Sequence, residues 1–114
     1  MSLAVVDIGS NSVRLLLADR VGPGGPESSR PRLVTVTGLR RGSAPDGSVT
    51  ADAVSRLDDC LAAYAERIAA FGPERVVAVG TAAVRDAPNR ADVARVVRDR
   101  LGTRLRVVTG TEEA

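Results

Sequence analysis

The sequence lacks histidine and tryptophan, and it contains one cysteine, one tyrosine and one phenylalanine. Without histidine there is no imidazole to activate a nucleophile, so Cys60 is not expected to act as one. A lone cysteine forms no internal disulfide, which agrees with a reducing, cytoplasmic location. Because aromatic residues are only 2% of the chain, few rings can stack on bases, and we expect no nucleic-acid partner.

Long apolar runs are also missing. None approaches the ~20 residues of a membrane span, and no basic segment precedes an apolar one at the N-terminus. We therefore expect no membrane partner and no secretion. The apolar residues, 44% of the chain, are mostly Val, Leu, Ile and Ala, which is typical of the core of a helix-covered sheet.

Lysine is absent, so all sixteen basic residues are arginine. A guanidinium group can bind two phosphate oxygens at once through its forked donors. The arginines at 40–41 and across 95–106 are therefore compatible with a polyanionic ligand. Helix faces and strand edges commonly carry such charges as well, so a solvated surface stays open as an interpretation.

The apolar pattern predicts a single α/β domain over residues 1–114. A Gly/Pro/Ser-rich segment at 22–31 is interpreted as a long, mobile linker. The expected order is an opening hairpin, a strand at 33–37, a helix from 50 to 72, a strand at 75–79, a helix from 89 to 102 and a strand at 105–108.

Capping signals define the two long helices. Thr50 can accept hydrogen bonds from the free N–H groups of the first turn, and Asp52 favours the positive end of the helix dipole. Gly72, followed by proline, ends this helix. Asn89 is expected to cap the second helix, and Gly102 to end it.

The turn between the first two strands carries the residues best suited to a ligand. Gly9 lets the backbone approach a ligand, Ser10, Asn11 and Ser12 offer hydroxyl and amide donors, and successive N–H groups can form an anion nest. Asp7, at the strand end, is placed to hold a divalent cation through water. A plain hairpin turn with Asp7 as its capping residue remains the alternative on these residues alone.

Three segments resemble the exopolyphosphatase and guanosine pentaphosphatase family. Residues 5–17 look like its first phosphate loop, residues 79–89 like its Thr-x-x-x-Arg-x-Ala-x-Asn block, and residues 107–114 like its Ser/Thr-Gly-x-Glu-Glu-Ala block. The segments occur in the family's order, and the resemblance covers essentially the whole chain. The family's glycine-rich second phosphate loop has no counterpart, so we expect the N-terminal part of a phosphatase domain, truncated before that loop.

The resemblance implies a ribonuclease-H-like α/β fold, shared with actin-like ATPases and sugar kinases, with a mixed sheet of about five strands and two main helices. In that fold the turn after the first strand and the blocks after the two later parallel strands lie at one end of the sheet. The resemblance also implies Mg²⁺ as cofactor and a homodimer for the full-length protein. The implied activity is release of terminal phosphate from inorganic polyphosphate, or conversion of guanosine pentaphosphate to tetraphosphate.

Site roles follow from the same resemblance. Glu113 corresponds to the general base that orients water for attack on the terminal phosphorus, and Arg85 would bind the phosphoryl group. The residues of the turn at 9–12 would bind phosphate oxygens, and Asp7 would help to position Mg²⁺. From the residues alone, Glu113 belongs to an ordinary helix start, and Arg85 could form a surface ion pair with Asp86 or Glu66.

Two other functions stay open. An ATP-dependent sugar or acetate kinase of the same superfamily shares the Asp-x-Gly-x-x-Ser type of opening, but such kinases usually lack the Thr-Gly-x-Glu-Glu-Ala ending. A non-catalytic phosphate or nucleotide sensor could use the same turn. Because half of the site would be missing, we expect the isolated 114 residues to fold as a compact half with little or no activity.

Overall fold

The computed structural model describes residues 2–18, 20–22, 25–27, 33–39 and 45–107. The strands are β1 Leu3–Ile8, β2 Ser12–Ala18, β3 Arg20–Gly22, β4 Gly25–Glu27, β5 Leu33–Val36, β6 Arg75–Gly80 and β7 Leu105–Val107. The helices are α1 Ala51–Phe71, α2 Ala82–Arg85 and α3 Arg90–Leu101.

Five strands form one mixed sheet in the order β5-β2-β1-β6-β7. β2 runs antiparallel to β1 and β5, whereas β1, β6 and β7 are parallel. Ile8 lies opposite Val13 and beside Gly80, and Gly80 lies beside Val107. This sheet with two long helices confirms the predicted fold class, one half of the ribonuclease-H-like architecture.

The two long helices cover one face of the sheet. The connections from β1 to β6 and from β6 to β7 advance in the same direction, and right-handed crossovers then place both helices on the same side. Side chains alternate along each strand, so every second residue faces the helices. The resulting core contains Ala4, Val6, Ile8, Val13, Leu15, Leu57, Leu61, Tyr64, Val93 and Val97.

The boundaries of α1 confirm the predicted capping signals. The Thr50 hydroxyl accepts a hydrogen bond from the N–H of Ala53 over 3.1 Å. Gly72 has a left-handed backbone with φ of 66°, and its N–H donates to the carbonyl of Ile68. Among the helices that the structure describes, none is both long and apolar enough to cross a membrane.

Asn89 precedes α3 as predicted, but the prediction that its side chain caps this helix is wrong. Its Oδ1 accepts from the N–H of Val49, and its Nδ2 donates to the carbonyl of Val49, both over 2.9 Å. Nδ2 also lies 3.2 Å from Asp92 Oδ2. Val49 is only 6% exposed, so its peptide groups need protein partners, and a side-chain amide supplies both a donor and an acceptor.

The predicted linker at 22–31 is partly regular. β3 and β4 form a two-stranded antiparallel ribbon in which Val21 lies opposite Pro26 and Gly22 opposite Gly25. A backbone ladder does not depend on apolar side chains, and a proline is tolerated where a strand has a neighbour on one side only. The rest of the predicted linker, residues 23–24 and 28–31, lies outside the described residues.

Cys60 is buried in the helix-facing core. Burial raises the pKa of its thiol, so the thiol stays protonated near neutral pH. The neighbouring Tyr64 hydroxyl donates to the carbonyl of Val13 over 2.9 Å and lies 2.8 Å from the hydroxyl of Thr35. The burial of Cys60 and its protonated thiol support a structural role for this residue, in agreement with the sequence.

Candidate functional site

The carboxyl ends of β1 and β6 lie side by side at one edge of the sheet. Ile8 is paired with Gly80, so the turn after β1 and Thr81 after β6 emerge together. Such an edge is where open α/β sheets bind ligands. The predicted convergence of the first two sequence blocks is confirmed at Thr81, whereas the third block, with Glu113, lies outside the described residues.

A polar pocket of about 380 Å³ opens at this edge. It brings together the five site residues predicted from the start of the chain, and it adds one residue from β2 and one that directly follows β6. The lining residues are Asp7, Gly9, Ser10, Asn11, Ser12, Arg14 and Thr81.

Gly9 shapes the turn. Its N–H donates to the carbonyl of Ser12 over 3.0 Å, so this N–H is used within the turn. A Cβ atom at position 9 would lie 3.2 Å from that same carbonyl oxygen, a tight contact that only glycine avoids. Ser10 and Asn11 are exposed at the tip of the turn, where their polar groups face solvent.

Thr81 joins β1 to the segment after β6. Its N–H donates to the carbonyl of Ile8 over 3.1 Å, and its hydroxyl lies 3.4 Å from the same oxygen. The carbonyl of Thr81 accepts hydrogen bonds from the N–H groups of Val84 and Arg85, which begins α2. Thr81 therefore forms a second wall of the pocket, the first wall being the turn at 9–12.

Arg14 was missed as a site residue by the sequence analysis. It is an exposed residue of β2 and lies directly opposite Asp7 in the antiparallel register. The two residues share one face of the sheet, so the pocket carries both a carboxylate and a guanidinium group. The register could have revealed Arg14, because pairing Ile8 with Val13 across the turn necessarily pairs Asp7 with Arg14.

Arg85 is not among the residues that line this pocket. Its Nε lies 3.4 Å from Asp86 Oδ1, and its side chain is 31% exposed. This contact corresponds to the surface ion pair that the sequence left open as an alternative. The binding of a phosphoryl group by Arg85 stays a prediction.

A second depression, of about 580 Å³, lies between α1 and α3. Its lining includes Asp58, Asp92 and Asp99, with Arg95 as a basic neighbour. Three carboxylates there disfavour an anionic ligand, since like charges repel. The pocket at the end of β1 combines hydroxyl, amide and guanidinium donors with a place at the carboxyl ends of parallel strands, and it is therefore the candidate phosphate site.

The same pocket has the donor set that a magnesium ion accepts. In the described part of the chain, no three acidic or cysteine side chains cluster as a complete metal site. Magnesium usually keeps several water molecules and takes one or two carboxylates together with substrate phosphates. Asp7 beside a turn of hydroxyl and amide donors fits that pattern.

Comparison with known proteins identifies the family of this chain. The sequence profile of the Ppx/GppA phosphatase family matches residues 30–114. Exopolyphosphatase 1 of Mycobacterium leprae is 36% identical over 100% of this chain and 33% of its own length. Exopolyphosphatase 2 of Mycobacterium tuberculosis is 37% identical over 98% of this chain and 37% of its own length.

Solved structures show the same likeness. The Aquifex aeolicus member of the Ppx/GppA protein family has a TM-score of 0.85 and 31% identity over 99% of this chain and 36% of its own. An exopolyphosphatase from Cytophaga hutchinsonii has a TM-score of 0.87 and 25% identity over 99% and 36%. This chain thus spans about a third of the length of these relatives. It belongs to the Ppx/GppA phosphatase family.

Proposed function

We propose that this chain supplies one side of the active site of a hydrolase that releases terminal phosphate from inorganic polyphosphate. The polar pocket at the ends of β1 and β6 carries the proposal, because its lining combines hydroxyl, amide and guanidinium donors that suit a phosphate group. The relatives named exopolyphosphatase favour hydrolysis over the kinase and sensor alternatives.

The turn would bind the phosphate oxygens. The hydroxyl groups of Ser10 and Ser12 and the amide of Asn11 are donors on a backbone whose shape Gly9 fixes. Arg14 adds a guanidinium fork that can hold two oxygens at once. Phosphoryl transfer depends mainly on positioning and charge neutralisation, which these groups supply.

Asp7 would hold a magnesium ion through water molecules, and an ion there neutralises charge on the phosphate oxygens. Glu113 would accept a proton from the attacking water. The sequence Thr-Glu-Glu is typical of a helix start, where the helix dipole would favour the ionised carboxylate that this role needs. Arg85 would contact the transferred group.

Inorganic polyphosphate is the substrate we propose, and guanosine pentaphosphate is the second one to test. Both present a terminal phosphoryl group to the pocket, so the groups described above would act on either. The names of the two mycobacterial relatives favour polyphosphate.

The test uses the full-length gene product as wild type, Glu113→Gln and Glu112→Gln. We expect Glu113→Gln to lower kcat for phosphate release by about 10²–10⁴-fold with a small change in KM, because the base acts only when water attacks. Glu112→Gln, its neighbour, should retain kcat. The measurement is orthophosphate release from polyphosphate with Mg²⁺, repeated with guanosine pentaphosphate.

Equal rates for the two glutamine variants would remove Glu113 from the role of base. A wild-type protein that releases no phosphate from either substrate would refute the hydrolase proposal. Phosphate release from guanosine pentaphosphate alone would support the hydrolase activity and would replace polyphosphate by guanosine pentaphosphate as the substrate.

A further inference from the structure

A chain of hydrogen bonds connects α1 to the turn at 9–12 through the residues that follow β5. Arg56 of α1 donates from Nε to the carbonyl of Thr37 over 2.7 Å, and from Nη2 to the carbonyl of Gly38 over 3.1 Å. The N–H groups of Thr37 and Gly38 both donate to the carbonyl of Asn11, over 3.1 and 2.9 Å. One intervening backbone segment therefore links Arg56 to the turn.

The backbone at Gly38 suits this convergence. Its φ of 60° lies in the left-handed region, which glycine adopts without strain. Two successive N–H groups can then point at one oxygen. Thr37 and Gly38 are buried, so water does not readily replace a lost partner, and an unpaired peptide group there is unfavourable.

The link also has an electrostatic component. The carbonyl of Thr37 and the N–H of Gly38 belong to the same peptide group. A cation that donates to this carbonyl polarises the group and strengthens its N–H as a donor. Arg56 therefore strengthens the hydrogen bond from the N–H of Gly38 to the carbonyl of Asn11.

We propose that Arg56 is a positioning residue that fixes the turn at 9–12 in its phosphate-binding conformation, an inference that rests on the function proposed above. Arg56 is not part of the pocket lining, so it would act through Thr37, Gly38 and Asn11. A guanidinium fork matches two successive carbonyl oxygens, whereas an ammonium group is a single point of contact. Without Arg56 the turn would sample other conformations and bind phosphate more weakly.

The test compares Arg56→Met and Arg56→Lys with Arg67→Met, which removes an exposed arginine from the same helix. Two quantities are measured by NMR on the 114-residue chain, under conditions where unfolding curves show each variant to be folded. They are the amide hydrogen exchange rate of Gly38 and the affinity for inorganic tripolyphosphate, followed by amide shifts at 9–12.

For Arg56→Met we expect about tenfold faster exchange at Gly38 and about tenfold weaker tripolyphosphate binding, as the loss of one to two hydrogen bonds predicts. Arg56→Lys should change the Gly38 exchange rate and the tripolyphosphate affinity less than Arg56→Met does, and Arg67→Met should match wild type in both quantities. A purely structural role for Arg56 would lower the free energy of unfolding without changing tripolyphosphate affinity in the folded protein.

Equal Gly38 exchange and equal tripolyphosphate affinity in Arg56→Met and Arg67→Met would overturn the inference. If Arg56→Met does not fold, the tripolyphosphate affinity of folded Arg56→Lys tests the inference instead. Weaker binding than in wild type supports the inference, and wild-type affinity overturns it. A wild-type chain that does not bind tripolyphosphate would count against the proposed phosphate site. Exchange at Gly38 would still decide whether Arg56 fixes the turn.

Discussion

The two faces of the sheet differ in what their residues do. On the face under α1 and α3, the alternate residues Ala4, Val6 and Ile8 of β1 are 0% exposed. On the opposite face lie Asp7 and Arg14, together with Val36, which is 62% exposed. One strand thus contributes the core on one side and the candidate site on the other, so substitutions should separate stability from binding according to face.

The largest expected effect is on the helix-covered face. Leu61→Ala should lower the free energy of unfolding by ~2–5 kcal/mol, because Leu61 is 0% exposed and its removal leaves a cavity. Chemical denaturation of the 114-residue chain measures this change.

Val36→Thr is the matched control on the opposite face. It should change the free energy of unfolding by less than ~0.5 kcal/mol, since an exposed strand position has few contacts to lose. Similar losses in the two variants would show that another part of the protein covers the second face and would remove the contrast between the faces.

The next effect concerns the junction of the two helices. Asn89→Ala should cost about 1–3 kcal/mol, because the N–H and carbonyl of Val49 both lose a partner in a nearly buried position. Thermal and chemical unfolding measure this loss. Asn89→Asp keeps the acceptor for the Val49 N–H but sets a carboxylate oxygen against the Val49 carbonyl and the Asp92 carboxylate, so its loss should be at least as large as that of Asn89→Ala. A loss in Asn89→Ala no larger than in Val36→Thr would contradict the prediction.

The smallest effect is expected at the outer surface of the helix layer. Arg100 of α3 donates to both carboxylate oxygens of Asp58 on α1, over 2.7 and 3.0 Å. This hydrogen-bonded pairing lowers the pKa of Asp58 below its ordinary value. Its contribution to stability is therefore present above the unfolded pKa, about 3.9, and is lost as the pH falls through the folded pKa.

Unfolding free energies of wild type and Asp58→Asn, measured between neutral and acidic pH, test this prediction. The difference between them should be small at neutral pH, because both groups are exposed, and should shrink towards zero in acid. If the difference in unfolding free energy stays constant with pH, the effect of Asp58→Asn comes from packing and not from the ion pair.

Local signals in the sequence predicted most of the fold. The Thr50 cap and the stop at Gly72 depend on neighbouring residues only, and both are present as predicted. Asn89 shows the limit, because its partner Val49 lies 40 positions away and no local pattern identifies it. β3 and β4 were missed because their pairing depends on backbone groups and not on apolar side chains.

The candidate site could be predicted in part. Asp7 and the turn at 9–12 share a pocket as expected, because they are consecutive in sequence. Identifying Arg14 required the register of β1 with β2, and identifying Arg56 required contacts between segments that are far apart in the chain. The roles of Glu113 and Arg85 are implied by resemblance to the family and stay predictions.

The two walls of the pocket differ in how early they can form during folding. The turn at 9–12 joins adjacent strands and closes locally, whereas Thr81 meets Ile8 from 73 positions away. The long-range wall depends on α1 and β6 being in place, so a complete pocket exists only in the fully folded chain. A phosphate ligand that bridges both walls would therefore select the native state and raise the apparent stability by mass action.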